Sequence, residues 1–557
     1  MTIHSGTILC LSSPPPGRRR VKMNFNNILR MGSWWISFCA VVFFSAGCSR
    51  SPEGRTDIQS ANRGAVIQPD YSGLLIPPNI APLNFLIKEA GQDYFVRIHS
   101  SHGDPIRIQN RTGHIQIPIK DWKRLLGENA GQPLTAEIFV RNQSGSWLNY
   151  TPIVNQISQD SIDGYLAYRK FGSLYNLFKK MGIYQRCLED FSEKPVLVNK
   201  LTQDNCMNCH NFYQNKTDRW LLHLRGGPGT SMLLVTDGKA KKIDLKTKFN
   251  GPAAYPAWHP SGELIAFTVS KLRLFFHETG ECRDVLDRYS DIILYDIPTN
   301  TVTTTLDISS PDRMEIWPAW SPDGRTLYFC SAPKIETFEN PENPSDIAYD
   351  KIQYDLMRMG YDPVQKTWGK LETVISAKES GLSITEPRVS PDGHFLLFTG
   401  AAYSQFPIYL QTADIYMLDL RTGKWKKSEA NSDRADSFHS WSSSSRWIVF
   451  SSKRDDNIFT RPYFSHIDSS GSASKPFVMP QEDLVSQEVS LSVYNVPEFA
   501  NEPVKMSPQA LSDAAFSKPE EMLTAKLDPN VLLQRKNIAP KSIAVDGGSK
   551  KMKTTKR

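Results

Sequence analysis

Five consecutive residues, Cys206-Met207-Asn208-Cys209-His210, place two thiols and an imidazole in one short stretch. This is the C-x-x-C-H spacing at which haem c is attached. Two thiols three positions apart can reach the two vinyl groups on one porphyrin edge. The histidine beside the second thiol then falls under the iron as proximal ligand. Two other chemistries use paired cysteines. A redox dithiol belongs after a strand in a βαβ unit, and none is evident around Cys206. Structural zinc wants a second ligand pair at short spacing, and the chain has no second C-x-x-C. The expectation is one covalent haem c on Cys206 and Cys209, with His210 on the iron. For the sixth position, Met181, His223 and Met232 are nearest in sequence, and His223 and Met232 are the preferred pair. Five-coordinate iron is the alternative. Arg225 would then stand near an open face.

Haem attachment of this kind happens outside the cytoplasm, so the N-terminus matters. Residues 32 to 47 form an apolar run without a charge, preceded by Lys22 and Arg30. That is the n-region and h-region of an export signal, too short for the roughly 20 residues of a spanning helix. Ser45-Ala46-Gly47-Cys48 follows and resembles a bacterial lipobox, which makes Cys48 the lipidated residue. An uncleaved anchor helix is the competing reading, and Met23 or Met31 the competing start. The expected boundaries are a signal peptide over 1–47 and a tether over 48–69. The protein is then lipid-anchored in the cell envelope, at the periplasmic face or the outer membrane. Loss of Cys10 and Cys39 and acylation of Cys48 leave Cys187, Cys206, Cys209, Cys282 and Cys330, which do not look like a disulfide scaffold.

The elements around the motif come next. Residues 70–155 alternate apolar with polar, as in Asp93–His99, and suggest a small immunoglobulin-like β-sandwich. Over Tyr165 to Arg186 apolar residues recur at three and four. This predicts an amphipathic helix, so 156–218 is expected to be a short helical segment carrying the haem motif. Downstream the chain repeats itself. Tyr255-Pro-Ala-Trp258-His-Pro-Ser-Gly262, Trp317-Pro-Ala-Trp320-Ser-Pro-Asp-Gly324 and Glu386-Pro-Arg-Val389-Ser-Pro-Asp-Gly393 are three copies. Phe438-His-Ser-Trp441 opens a fourth, with Ser442 to Ser445 in place of the Ser-Pro-Asp-Gly turn. Each copy is a strand, a turn and a strand, with a second strand pair behind it, as in a propeller blade. A further blade is expected at Trp220 to Leu245, and a closing one near Ile467 to Met479. The fold class is therefore mainly β: a propeller of about six blades over 219–500, preceded by the sandwich and the helical segment. Residues 501–557 are expected to hold one helix, over Pro519 to Leu533, and a disordered basic tail.

The repeat phrase resembles the WD-like repeats of the TolB-like β-propellers. The order of lipobox, β domain, haem motif and propeller resembles a family of exported lipoproteins common in Bacteroidetes. What that resemblance implies is haem attachment on Cys206, Cys209 and His210. The net charge of +7 sits largely at the two ends, so nothing points to nucleic acid. No phosphate loop, nucleophile elbow or zinc-protease motif is present, and no catalytic residue is selected. Three functions stay open. One is an electron-transfer protein whose propeller docks a protein partner. Another is a protein-binding scaffold with a structural or sensory haem. The third is a haem-dependent oxidoreductase.

Overall fold

The computed structural model describes residues 51–172, 180–276, 283–334, 349–484 and 491–534. The signal, the lipobox and Cys48 lie outside them. Six sheets, each built on four antiparallel strands and two of them carrying a fifth, form the larger part. Blade two runs Cys206–Tyr213, Lys216–Arg225, Ser231–Thr236, Lys239–Asp244. Blade three opens on Ala253–Trp258, blade four on Arg313–Trp320, blade five on Ser383–Val389 and blade six on Asp436–Trp441. Blade one is made of Tyr165–Phe171, Met181–Cys187 and Glu193–Val198, and its innermost strand is Val493–Ala500, from the far end of the chain. The six innermost strands touch one another in cyclic order. The ring is a propeller, closed by the antiparallel pairing of Val493–Ala500 with Tyr165–Phe171.

Three expectations are corrected here. Tyr165 to Arg186 is not a helix: its described parts are two strands paired from Tyr165↔Cys187 to Phe171↔Met181. Apolar spacing of three and four arose because both faces of these strands are buried, which erases the two-residue alternation. The haem motif does not precede the first blade. It is itself the innermost strand of blade two. The ring is not closed by Ile467 to Met479, since Phe477–Val478 is the outer strand of blade six. In the C-terminal stretch, Pro519 to Leu533 contains two two-residue strands as well as the Pro529–Gln534 helix. Leu523–Thr524 and Lys526–Leu527 add in parallel to the outer edges of blades two and three.

One irregularity recurs in every blade. Each innermost strand carries two residues opposite one on its neighbour. The register jumps from Asn208 to Asn211, Ala254 to Ala257, Ile316 to Ala319, Thr385 to Arg388 and Ser437 to Ser440. In blade one Glu498 and Asn495 pair across the same jump. This is a β-bulge, which bends a strand and leaves the extra residue out of the ladder. Its first residue takes a left-handed backbone at Tyr255, Trp317, Glu386, Phe438 and Val496, with φ between 49° and 54°. The turn that follows is also uniform. Gly262, Gly324 and Gly393 have φ of 70° to 74°, and Ser445 in the degraded fourth copy matches them at 61°. Serine is kept there because its Oγ accepts a hydrogen bond from Asp392 N, 2.9 Å away on the next blade.

Ahead of the ring, a seven-stranded and a three-stranded sheet share a core with the Ile119–Gly127 helix, which buries Trp122, Leu125 and Leu126. Parallel pairings of Gln59–Gly64 with Trp147–Thr151 and of Ile153–Ile157 with Leu75–Ile76 set it apart from the purely antiparallel immunoglobulin plan. That core runs on into blades five and six through Phe395, Trp447 and Phe477. Trp447 Nε1 donates to the Asp160 carbonyl at 3.0 Å, and Tyr71 Oη to the Val478 carbonyl at 3.3 Å.

Two predictions follow from the closure and from a buried acid. A chain ending before Val493 lacks the inner strand of blade one. Its Tyr165–Phe171 amides should lose hydrogen-exchange protection, and limited proteolysis should cut within blade one first. Asp287, buried beside Tyr354 Oη, is pushed by desolvation from 3.8 up to about 8. A folded-state pKa above the unfolded one means the folded chain holds the extra proton between these values. Stability therefore falls as pH rises from about 4 to about 8. In melting curves Asp287→Asn should match wild type near pH 4 and melt progressively higher than wild type toward pH 8.

Candidate central-channel site

The bulges line the middle of the ring. A cavity of about 410 Å³ opens there, and every blade contributes: Glu498, His210, Trp258, Trp320, Arg388 and His439, in order from blade one. Its walls are strongly aromatic, with Trp317, Phe438 and Trp441 adding to the two tryptophans just named. The volume falls within the ~300 to 1,000 Å³ typical of small-molecule sites.

Aligned on the bulge, the second residue is Pro256, Pro318, Pro387 and Pro497 in four blades. Proline suits a position whose N–H has no ladder partner. The two blades that depart from proline both carry histidine: His210 in blade two and His439 in blade six. Both rings are buried, at 3% exposure for each residue.

His210 has no hydrogen-bond partner on either ring nitrogen among the described residues. Burial first, and Arg169 second, push its pKa down to about 3, so the ring is neutral. The Ala167 carbonyl draws the value back without meeting hydrogen-bond geometry. Glu498 Oε2 lies 3.9 Å from Nε2, a distance that would suit an ion pair. No ion pair forms, because burial pushes Glu498 up to about 8 while the imidazole stays neutral. Glu498 Oε1 accepts from Phe212 N at 2.9 Å and Asn211 Nδ2 at 3.0 Å.

His439 is held differently. Thr399 Oγ1 donates its proton to Glu386 Oε2 at 3.0 Å, which leaves the hydroxyl an acceptor toward His439 Nδ1, 3.4 Å away. A proton on Nδ1 leaves a lone pair on Nε2, and Nε2 has no partner. Burial again pushes the ring pKa down to about 3. Glu386 is pushed up to about 7 by burial. Buried polar atoms nearly always find partners, so both ring nitrogens of His210 and Nε2 of His439, unpartnered among the described residues in one cavity, call for an explanation.

The motif residues are thus placed on one strand. Cys206 is partly buried against the blade core, Met207 is fully buried, and Cys209 and His210 are the bulge pair. A neutral imidazole without a partner among the described residues is what a proximal haem ligand requires, and His210 lines the cavity, but Cys206 packs against the blade core and is not in that lining. The expected sixth ligands do not meet it. His223 and Met232 face each other on the second and third strands of blade two, and neither lines the cavity. Met181 is also out of reach, its sulfur accepting from Met207 N at 3.2 Å. Arg225 is likewise not in the lining, where Arg388 is. Sequence reading passed over His439. The signal was present: Phe438-His439-Ser-Trp441 aligned on Trp317-Pro318-Ala-Trp320 exposes the exchange. Among the described residues no group of three or more metal-binding side chains is assembled. Cys187, Cys206 and Cys330 are unpaired thiols.

No family model matches the chain, and no curated protein matches it. Solved structures resemble it at low identity. A nidogen–laminin complex structure is 9% identical, covering 60% of this chain and 97% of that one, with a TM-score of 0.34. An oligogalacturonate lyase from Vibrio parahaemolyticus is 12% identical over 69% of this chain and 100% of the other, with a TM-score of 0.29. The Dos1 propeller is 13% identical over 44% and 66%, at 0.25. These likenesses say nothing of ligand or activity.

Thr399 orders the His439 side of the cavity and is fully buried. Thr399→Val strands His439 Nδ1 and removes one of two hydrogen bonds to Glu386 Oε2, whose other donor is Phe438 N. It should lower unfolding stability in urea by about 1–3 kcal/mol.

Proposed function

We propose that this chain is an envelope-anchored c-type haem protein that transfers electrons, with the propeller as the platform for a protein partner. The observation that carries the reading is His210. It ends a C-x-x-C-H motif, replaces the proline of four other blades, and keeps two buried ring nitrogens without partners. Cys206 and Cys209 would carry the thioether bonds and His210 the iron. The haem, when bound, supplies a one-electron couple; the protein supplies ligation, shelter and a docking surface. Trp258, Trp320 and Trp441 line the cavity and would supply the apolar shelter. The buried, proton-holding Glu498 puts no full negative charge beside the ring at neutral pH. Anchoring through Cys48 and an envelope location rest on the sequence signal.

The full chain, produced with a cytochrome c maturation system, should stain for haem on a denaturing gel and show reversible oxidised and reduced spectra. A Cys206→Ala, Cys209→Ala double variant should lose the stain. A wild-type chain that folds, is exported and carries no covalent haem would sink this reading and leave a propeller scaffold.

A further inference from the structure

Blade five departs from its neighbours at two of the three positions of the bulge. At the first position Tyr255, Trp317, Phe438 and Val496 stand in four other blades, and blade five carries Glu386. At the third position Asn211, Ala257, Ala319 and Ser440 stand in blades two, three, four and six, and blade five carries Arg388. Both residues line the central cavity, as does Glu498 from blade one. They do not neutralise one another. Glu386 Oε2 accepts from Thr399 Oγ1 and Phe438 N, and Glu498 Oε1 from Phe212 N and Asn211 Nδ2. The other oxygen of each carboxyl has no hydrogen-bond partner among the described residues, so neither acid is bonded to Arg388. Burial pushes Glu386 up to about 7 and Glu498 up to about 8, and the Arg388 charge offsets this only in part. Neither acid supplies a full counter-charge at neutral pH. A half-buried guanidinium therefore faces a cavity walled by Trp317, Trp320 and Trp441 without an ion-pair partner among the described residues.

We propose that the central cavity binds a small carboxylate with a ring-shaped body, its carboxylate on Arg388 and its ring against the tryptophan walls. Arginine meets a carboxylate through two parallel charge-assisted hydrogen bonds, which are stronger than neutral ones. The protonated form of Glu386 carries its proton on Oε1, the oxygen that accepts nothing, and can donate to the same anion. Apolar walls with a few converging polar groups are the ordinary plan of a small-molecule site. The inference goes beyond the haem reading and uses none of Cys206, Cys209 and His210.

The test is a titration of the full chain followed by tryptophan fluorescence and calorimetry. Benzoate and cyclohexanecarboxylate, one ring flat and the other puckered, should bind saturably. Uncharged benzamide, and acetate, which has no ring, should each bind about tenfold more weakly or less. Arg388→Gln should weaken both ring carboxylates by about tenfold or more, and Arg388→Lys should recover part of that loss. Neither variant removes a side-chain hydrogen bond among the described residues, and circular dichroism should show both folded. Absence of saturable binding by either ring carboxylate would overturn the proposal. So would benzamide or acetate binding as tightly as benzoate, or benzoate binding that a folded Arg388→Gln chain retains. Haem staining of the same preparation reads the earlier proposal separately, so each can fail without the other.

Discussion

The pairing of Val493–Ala500 with Tyr165–Phe171 is the constraint on which the rest depends. Without it blade one has no inner strand, the six bulges do not face one another, and the cavity has no sixth wall. The pairing joins segments more than three hundred residues apart, so the chain must close a very long loop to form it. Loop entropy grows only logarithmically with length, and a ring of this size is therefore tolerable once the seam is well made. Here the seam is reinforced by side chains. Asn215 Nδ2 donates to the Trp441 and Phe499 carbonyls, and Glu498 holds Phe212 N and Asn211 Nδ2. Blade two, blade six and the closing strand are tied at one place.

The bulge is what turns a generic ring into a shaped channel. A regular strand would send alternate side chains to either face and keep its N–H groups paired. Doubling one residue in every inner strand frees a backbone position at the same height in each blade. The left-handed backbone at Tyr255, Trp317, Glu386, Phe438 and Val496 is strained for such side chains. Its recurrence in five blades of differing residue type marks it as architecture. The residue after it is proline in four blades and histidine in two, so the backbone strain is shared around the ring while that side chain is not.

Much of the propeller was legible in the sequence because turn chemistry is local. Pro-Asp-Gly between apolar runs fixes a hairpin whatever surrounds it, and Gly324 and Gly393 sit where that reading puts them. What was not legible were features that depend on partners remote in sequence. The closing strand, Val496-Pro497-Glu498-Phe499, carries the bulge phrase but no turn after it, so it does not announce itself as a copy. The motif strand hides the phrase further: Cys209-His210-Asn211-Phe212 matches Tyr255-Pro256-Ala257-Trp258 only once the register is known. Tyr165 to Arg186 misled for a physical reason. A strand buried on both faces loses its alternation, and a chance spacing of apolar residues then imitates a helix. The cysteine spacing was readable; that it lay on a strand was not.

The position of the two histidines bears on stability. Blade six, the closing strand and blade two are consecutive around the ring, and that is where the two ends of the propeller meet. His439 on one side and His210 on the other line the cavity at the seam. Anything bound by the closed ring and not by the open one adds its binding free energy to closure. Buried atoms without partners among the described residues gather at this same place: both ring nitrogens of His210, His439 Nε2, Glu386 Oε1 and Glu498 Oε2. Two of six otherwise equivalent bulges carry histidine where the others carry proline, and both stand beside the closing strand, so whatever binds these rings only in the closed ring stabilises the seam.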